Sequence, residues 1–473
     1  MAFNGVSRPT TTSATIPIGS SSSSGSIFRR GKEGRARYAG WVGRRVLDFE
    51  STQIELANEL DAQDALASFR DEFIIADPDL IYLDGNSLGR LPKRTIAFMR
   101  SAIEEQWGER LIRIWNDGWM QTPTRLGAKI AHLIGAGEDE VVVTDATSVN
   151  LFKLAVAALR ARPQRRKIVS DALNFPSDLY VLQGIIDLLD GEHDLVLIPS
   201  EDGISIAPGD LGTAIDSQTA LVSLTHVAFK SAFMYDMARV TASAHQAGAF
   251  MLWDLSHSVG AVPVDLNGCN VDLAIGCTYK YLNGGPGSPA FLYVRKDLQT
   301  QLKPPIWGWL AADNPFAFAL DFTPSPDISR FKVGAPPMLS MKAVEASIDL
   351  LLEAGMERLR EKSARQSEYL IYLADRWLAP LGFTLGTPRQ VERRGSHVSL
   401  RHEEGYRICR ALIESPSPAV KVIPDFREPD NIRLGITPLY TTYTEIHRAL
   451  GRMREIVAQE VYAQYPHERL DVT

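Results

Sequence analysis

From about Leu47 onward, short runs of apolar residues alternate with longer segments in which apolar residues recur at helical spacing. Most runs are apolar at successive positions, which is typical of strands that are buried on both faces. Strands that alternate with helices favour an α/β fold, with a mainly parallel sheet flanked by helices. The runs that predict strands are Val141 to Val143, Lys167 to Val169, Leu195 to Ile198, Ala220 to Leu224, Phe250 to Trp253, Leu273 to Ile275 and Phe291 to Val294.

Two changes of pattern predict the domain organisation. The first stretch of the chain has almost no periodic apolar pattern, and the proline-rich stretch Pro324 to Pro337 precedes an amphipathic helix over Ser340 to Arg360 and a mixed region. The predicted divisions are an N-terminal extension (1–46), a segment that packs with the small domain (47–97), a large domain that holds the binding site (98–335) and a smaller C-terminal α+β domain (336–473).

The N-terminal extension differs in composition from the rest of the chain. Met1 to Arg45 contains eight Lys and Arg residues against one acidic residue, Glu33, and a serine tract from Ser20 to Ser24. Such a segment buries too little apolar surface to offset its chain entropy, so we predict that it is disordered. Its composition also suits an organellar transit peptide, while an extension without function fits equally well. This segment alone assigns no compartment, and the expected location of the protein is the cytoplasm, with organellar targeting by residues 1–45 as the alternative.

Overall composition narrows the classes of partner. The chain has 473 residues and a net charge of -7, which disfavours nucleic acid as the main partner. No run approaches eighteen consecutive apolar residues, so a membrane helix is not predicted. The three cysteines, Cys269, Cys277 and Cys409, fit neither a disulfide framework nor metal-ligand spacing, so we predict no metal site and a reducing compartment.

Lys280 occupies a glycine-rich turn between two apolar runs. A lysine in a buried turn can lose its proton at modest cost because desolvation disfavours the charged form, and the neutral amine can then form a Schiff base. A surface lysine at a hairpin is the alternative for this segment taken alone. The segment reads Gly276-Cys277-Thr278-Tyr279-Lys280-Tyr281-Leu282-Asn283-Gly284-Gly285-Pro286-Gly287.

An acidic residue upstream, Asp254, favours the Schiff-base interpretation of Lys280 over a surface lysine. Asp254 ends the apolar run Phe250 to Trp253, and His257 follows three residues later. Ligands of open α/β sheets bind beyond the carboxyl ends of the strands, although an N-cap is the alternative for Asp254 taken alone. An aspartate, a histidine and a lysine in this setting indicate pyridoxal phosphate. The lysine would carry the aldehyde, the aspartate would pair with the pyridine nitrogen, and the imidazole would pack near the ring.

A phosphate cradle is predicted where the strand Val141 to Val143 runs into short hydroxyl residues. Thr147 and Ser148 come just before Leu151 to Leu159, a segment rich in helix formers. Free backbone N–H groups and the dipole at a helix N-terminus favour an anion. An ordinary helix cap is the alternative.

Five segments along the chain carry a family resemblance. They are Tyr82 to Gly89, Asn174 to Asp178, Trp253 to Ser258, Gly276 to Pro286 and Thr437 to Tyr440. In this order they resemble the kynureninase family, especially its bacterial forms, and the resemblance runs from about Leu80 to the C-terminus. It implies a fold-type I pyridoxal phosphate-dependent transferase architecture, similar to class V aminotransferases, with a mainly parallel sheet of the seven-stranded type and a smaller α+β domain.

The resemblance also implies roles for individual residues. Lys280 would be the Schiff-base lysine, and Tyr279 would contact the phosphate and assist proton transfer. Trp309 would come from the neighbouring subunit, which implies a homodimer with shared active sites. Arg433 would bind the substrate α-carboxylate through its planar fork, with Ser87 and Trp115 near the aromatic end of the substrate. The implied cofactor-binding residues are Thr147, Ser148, Phe175, Pro176, Ser177, Asp178, Thr225, Asp254, His257, Tyr279, Lys280 and Trp309.

The activity that the resemblance implies is hydrolysis of a carbon–carbon bond. The expected substrate is L-kynurenine, and also 3-hydroxy-L-kynurenine, cleaved to anthranilate or 3-hydroxyanthranilate and L-alanine in tryptophan degradation and NAD biosynthesis. One position departs from the family: Ala335 stands in the turn where asparagine or threonine is usual, and alanine offers no side-chain hydrogen bond.

Three other functions are alternatives to this one. A different fold-type I enzyme, such as a cysteine desulfurase-like lyase or an aminotransferase, shares the use of Asp254 and Lys280, but a desulfurase needs a mobile catalytic cysteine. A dimeric scaffold without activity predicts loss of Lys280, Asp254 or His257, and all three are present. A nicotinamide oxidoreductase is disfavoured because this chain lacks the glycine spacing that opens a dinucleotide-binding helix.

Overall fold

The protein is described by a computed structural model over residues 49–414 and 420–469. The predicted disorder of the N-terminal extension lies outside the described residues. The strands are β1 (Leu80–Tyr82), β2 (Val141–Val143), β3 (Lys167–Asp171), β4 (Asp194–Ile198), β5 (Thr219–Thr225), β6 (Phe250–Asp254), β7 (Leu273–Gly276), β8 (Phe291–Val294), β9 (Thr384–Leu385), β10 (His397–Arg401), β11 (Lys421–Ile423), β12 (Asp425–Arg427) and β13 (Asn431–Gly435).

The α-helices flank the strands in sequence and surround the sheets. They are α1 (Ile54–Ala62), α2 (Lys93–Ser101), α3 (Thr122–Ile134), α4 (Thr147–Arg160), α5 (Pro176–Leu188), α6 (Pro208–Ala214), α7 (Met237–Gln246), α8 (Met338–Ala354), α9 (Met356–Trp377), α10 (Gly405–Ile413) and α11 (Tyr443–Ala458). In the described part of the chain, none of these helices is long and apolar enough to cross a membrane.

A seven-stranded sheet in the order β2-β8-β7-β6-β5-β3-β4 forms the centre of the larger part. Strand β8 runs antiparallel to both of its neighbours, and the other pairs are parallel. All seven predicted runs form strands of this sheet, so the predicted α/β class and mainly parallel sheet are confirmed.

Both faces of this sheet are buried, as the uninterrupted apolar runs predict. Along β6, Met251 and Trp253 pack into one core, whereas Phe250 and Leu252 pack into another. Alternate residues of a strand point to opposite faces, so each face needs its own layer of apolar side chains. The parallel register also brings the ends of β5 and β6 together, with Thr225 opposite Asp254.

The C-terminal part of the chain forms two smaller sheets. Strands β12, β13, β10 and β9 form an antiparallel sheet, and β1 pairs in parallel with β11. Their core also contains residues of α1, namely Ala57 and Leu60. The predicted α+β character of this part is confirmed. The domain limits at residues 97 and 335 stay predictions.

The prediction of one helix over Ser340 to Arg360 is wrong. The structure has two helices, α8 and α9, and they meet at Gly355. Gly355 has a φ of 80° and ends α8, because a residue with positive φ cannot continue a right-handed helix. Glycine adopts such a conformation readily because it has no side chain. Apolar periodicity alone does not show this break, since both helices carry an apolar face.

Candidate functional site

Lys280 lies in the turn that follows β7, at the carboxyl edge of the central sheet. Its Nζ is 3.0 Å from Nε2 of His257 and 5.8 Å from the centre of the Phe175 ring. The turn is held against the loop that follows β1, because the Gly89 N–H donates to the Tyr279 carbonyl at 2.8 Å. A Cβ on Gly89 would stand 2.5 Å from the Lys280 carbonyl oxygen, so the close approach requires glycine.

His257 is a buried neighbour of the lysine amine. Burial lowers the pKa of His257 well below its ordinary value, and the nearby charge of Lys280 lowers it further. Its Nδ1 is buried and has no hydrogen-bond partner among the described residues. The ring is therefore neutral at neutral pH, and its free nitrogen can serve a bound group.

Asp254 ends β6 beneath the lysine turn. Its Oδ1 accepts hydrogen bonds from the Ser256 hydroxyl at 2.6 Å and from the Ser256 N–H at 2.8 Å. Burial raises the pKa of Asp254, and the charge of Lys280 opposes that rise. Burial also raises the pKa of Asp178, with repulsion from Asp254 as a second cause. Two buried carboxylates that repel one another favour a cation between or beside them.

The N-termini of α4 and α5 meet at the predicted phosphate cradle. Ser148 and Ser177 stand in the first turns of these helices, and their hydroxyl oxygens are 3.1 Å apart. Neither N-cap residue, Ala146 or Phe175, supplies a side-chain cap. The free N–H groups of both helices thus remain for an anion.

Asn174 joins two of the predicted cofactor contacts, and sequence reasoning gave it no role of its own. Its Oδ1 accepts hydrogen bonds from the Thr225 hydroxyl and from the Phe175 N–H, and its Nδ2 donates to Ser170 at 3.0 Å. Asn174 therefore fixes the backbone from which the Phe175 ring projects. Its place directly before Phe-Pro-Ser-Asp was the one available signal.

Arg433 is buried on β13, where its two terminal nitrogens meet three acceptors. Its Nη2 donates to the Ser87 hydroxyl at 3.0 Å and to the carboxylate of Asp425, and its Nη1 donates to the Phe229 carbonyl at 2.6 Å. Burial lowers the pKa of Arg433 to about 10, so the guanidinium stays charged at neutral pH. Sequence reasoning missed Asp425, which holds this guanidinium in place.

The structure does not bring every predicted residue to Lys280. Trp115 packs edge-to-face on Trp119 at 5.8 Å, beside the main core. Trp309 is 43% exposed and packs on Phe316. Tyr279 does lie near, with its ring centre 5.9 Å from Nζ, and the pKa of its phenol is raised by Cys277 and by burial.

The residues present fit pyridoxal phosphate. The unpartnered nitrogen of His257 and the buried Asp254 suit a planar ring with a protonated nitrogen, and the uncapped helices suit a phosphate. The half-buried Lys280 lies between these two ends of the site. Such a site can hold an aldehyde next to an amine and withdraw electrons from a bound amino acid.

Comparisons with known proteins identify the family. Residues 81–405 match the class-V aminotransferase family, and residues 359–453 match the kynureninase C-terminal domain. The chain is similar to kynureninase from Pseudomonas fluorescens, with 46% identity over 410 residues that cover 86% of this chain and 95% of that protein.

Solved structures of lower identity share the fold. The apo cysteine desulfurase from Thermococcus onnurineus NA1 has a TM-score of 0.72 at 19% identity and covers 83% of this chain and 98% of its own. A mutant of C-DES with glycine covalently linked to its pyridoxal phosphate cofactor has a TM-score of 0.68 at 17% identity, over 79% of this chain and 96% of its own. At such identities the likeness shows the fold alone.

Proposed function

The chain belongs to the kynureninase family, and on this premise we propose that it hydrolyses the Cβ–Cγ bond of L-kynurenine to anthranilate and L-alanine. Its cofactor is pyridoxal phosphate. The observation that carries the proposal is the placement of Lys280 against neutral His257, above Asp254, at the carboxyl edge of the sheet. The 3-hydroxy form of the substrate is proposed as a second substrate of the same site.

We propose that the phosphate binds at Thr147, Ser148 and Ser177, and that Phe175 and His257 contact the ring. Asp254 would pair with the ring nitrogen, with Thr225, Pro176 and Asp178 completing the surroundings. When bound, pyridoxal phosphate supplies an aldehyde that captures amines and a ring that withdraws electrons from the substrate Cα.

Lys280 would move the proton of the substrate Cα. Its amine lies 3.0 Å from the neutral imidazole of His257, at the same edge of the sheet as Asp254. Tyr279 would donate a proton later, when water has added to the γ-carbonyl and the Cβ–Cγ bond breaks. The raised pKa of its phenol keeps that proton available at neutral pH.

Arg433 would bind the substrate α-carboxylate, as a planar fork suits. Asp425 and Ser87 hold one of its terminal nitrogens, and the buried Nε has no hydrogen-bond partner among the described residues. Because Ser87 accepts a hydrogen bond from Arg433, it would lie near the bound substrate. We propose Trp115 for the aromatic end of the substrate from the family resemblance alone.

We further propose a homodimer with shared active sites, in which Trp309 serves the second copy. The support is the aromatic strap, which we define as residues 307–322. It exposes several large apolar side chains to solvent, and such patches mark interfaces. They are Trp307, Trp309, Phe316, Phe318 and Leu320. Sedimentation of the purified protein with and without the Phe318→Ser substitution tests this proposal.

A cysteine desulfurase reaction is disfavoured by the cysteines. Cys277 and Cys409 are buried, and burial raises the pKa of each thiol, which opposes formation of a thiolate. Cys269 is half-buried in the connection between β6 and β7, in a turn that packs against the main core and is bonded to the end of α3, where the Leu266 N–H donates to the Ile134 carbonyl at 2.9 Å.

The experiment that tests the proposed function is product analysis. The purified protein with pyridoxal phosphate is incubated with L-kynurenine or 3-hydroxy-L-kynurenine, and anthranilate fluorescence and L-alanine are both measured. Equal amounts of the two products are expected. Alanine without anthranilate, or neither product from a protein that holds its cofactor, would refute the assignment.

A further inference from the structure

A fully buried lysine follows the proposed phosphate cradle on the same helix. Lys153 is on α4, fewer than two helical turns after Thr147, and its side chain is fully buried. Its Nζ donates to Asp145 Oδ2 at 2.6 Å and to the Phe331 carbonyl at 2.7 Å. Burial lowers the pKa of Lys153, and the neighbouring Asp145 opposes that fall. The mechanism proposed above makes no use of this ion pair.

Asp145 is the point at which the chain turns from β2 into α4. Its φ is 48°, a left-handed conformation that is unfavourable for a residue with a side chain. Three hydrogen bonds hold it there: the carboxylate accepts from Lys153 and from the Thr144 hydroxyl at 2.9 Å, and its carbonyl accepts from the Ala290 N–H at 2.7 Å. The direction in which α4 begins therefore depends on Asp145.

The other acceptor of Lys153 belongs to a different part of the chain. Phe331 packs into the same core as Leu151 and Leu154 of α4. Two residues later, the Val333 carbonyl accepts from the Leu310 N–H at 3.4 Å, next to Trp309. One ammonium group thus fixes the cradle to the segment that supports the aromatic strap.

We propose that Lys153 is a positioning residue for cofactor phosphate binding. It compensates the Asp145 carboxylate, keeps that residue in its left-handed conformation, and so aims the first N–H groups of α4 at the phosphate. The inference rests on the proposed function, because it takes Thr147 and Ser148 as phosphate ligands. The Asp145 carboxylate is partly buried and pairs with this ammonium, so removal of Lys153 leaves its charge uncompensated and the loop is expected to shift.

The test measures the affinity for pyridoxal phosphate by titration of the cofactor-free protein, followed by its absorbance. Lys153→Met is expected to raise the Kd at least about tenfold, because it leaves Asp145 unpaired. Turnover at saturating cofactor should fall much less than affinity. Lys129→Met is the matched control, since Lys129 pairs with Asp349 at 2.7 Å on a half-exposed surface of α3. It should leave the Kd unchanged.

Asp145→Asn provides a second variant that should still fold, because asparagine tolerates a left-handed conformation. It should also raise the Kd, and the double variant with Lys153→Met should be no worse than the single lysine variant, since no unpaired charge remains. An unchanged Kd in both single variants overturns the proposal. The variant with Thr147→Ala and Ser148→Ala separates the two ideas: if it binds the cofactor normally, the proposed phosphate site itself fails and the inference falls with it.

Discussion

The regions around Lys280 and Lys153 place the same side chain in opposite settings. Lys153 is fully enclosed and bonded to a carboxylate and a backbone carbonyl, so it is held in one position. Lys280 is half-buried at the edge of the sheet, and its close polar partner is the neutral imidazole of His257. A lysine held by a carboxylate and a carbonyl supports structure, whereas a half-buried amine beside a neutral imidazole is placed to react with an aldehyde.

The largest expected effect comes from removing Lys280. Lys280→Ala should lower kcat at least about 1000-fold, because the same amine serves as cofactor anchor and proton carrier. Initial rates of anthranilate release measure the change. Lys296→Ala is the control, since Lys296 is exposed and pairs with Asp139 at 2.7 Å. Turnover by the Lys280 variant at the rate of this control would remove the contrast between Lys280 and Lys153.

Asp171 is a buried carboxyl group whose hydrogen-bond donors are a tyrosine and a backbone N–H, whereas Asp145 pairs with a lysine. Asp171 accepts hydrogen bonds from the Tyr235 hydroxyl at 2.7 Å and from the Leu173 N–H at 2.6 Å, and burial raises its pKa from 3.8 to about 6. A raised carboxyl pKa stabilises the fold below pH 3.8, and this contribution is lost as the pH rises through about 6. The loss amounts to at most about 3 kcal/mol.

Asp171→Asn should therefore remove a fall in the free energy of unfolding between about pH 4 and pH 6, as measured by denaturant unfolding across that range. Asp216→Asn provides a control of opposite sign, because a hydrogen bond from Lys167 lowers the pKa of Asp216. The Asp216 contribution is present at neutral pH and is lost as the pH falls. Equal pH profiles of the Asp171 variant and the unchanged protein would show that Asp171 is not titrating in this range.

The smallest expected effect concerns the guanidinium that meets Asp425. Arg433→Lys keeps the charge that Asp425 requires but loses the planar fork, so KM should rise about tenfold with little change in kcat. Arg427→Lys is the matched control, because Arg427 meets the same carboxylate at 3.1 Å but is more exposed. A KM that changes equally in the two variants would show that Arg433 does not contact the substrate.

Much of the fold follows from local sequence. The strands of the central sheet are uninterrupted apolar runs, and burial on both faces requires that pattern whatever the order of the strands. The break at Gly355 was missed because a glycine in a helical pattern does not reveal its φ. The antiparallel β8 was also beyond prediction, since strand direction depends on how distant segments pair.

The candidate site was predictable to a different extent at each position. Asp254 ends one strand and Lys280 follows the next, so the topology of a parallel sheet brings them to one edge. Asn174 and Lys153 bind partners far away in the sequence, Thr225 and Phe331, and no local pattern marks such contacts. Asp425 meets Arg433 only because strands β12 and β13 pair in that register. Trp115 and Trp309 are not placed beside Lys280 within the described residues, and their roles stay proposals.

Covalent trapping gives the most direct test of the central claim that Lys280, and not Lys153, carries the cofactor. The protein loaded with pyridoxal phosphate is reduced with borohydride, digested and analysed by peptide mass spectrometry. The account predicts stoichiometric label on the peptide that contains Lys280, and loss of that label together with turnover in Lys280→Ala. Stoichiometric label on Lys153, or turnover that survives the loss of Lys280, would contradict it.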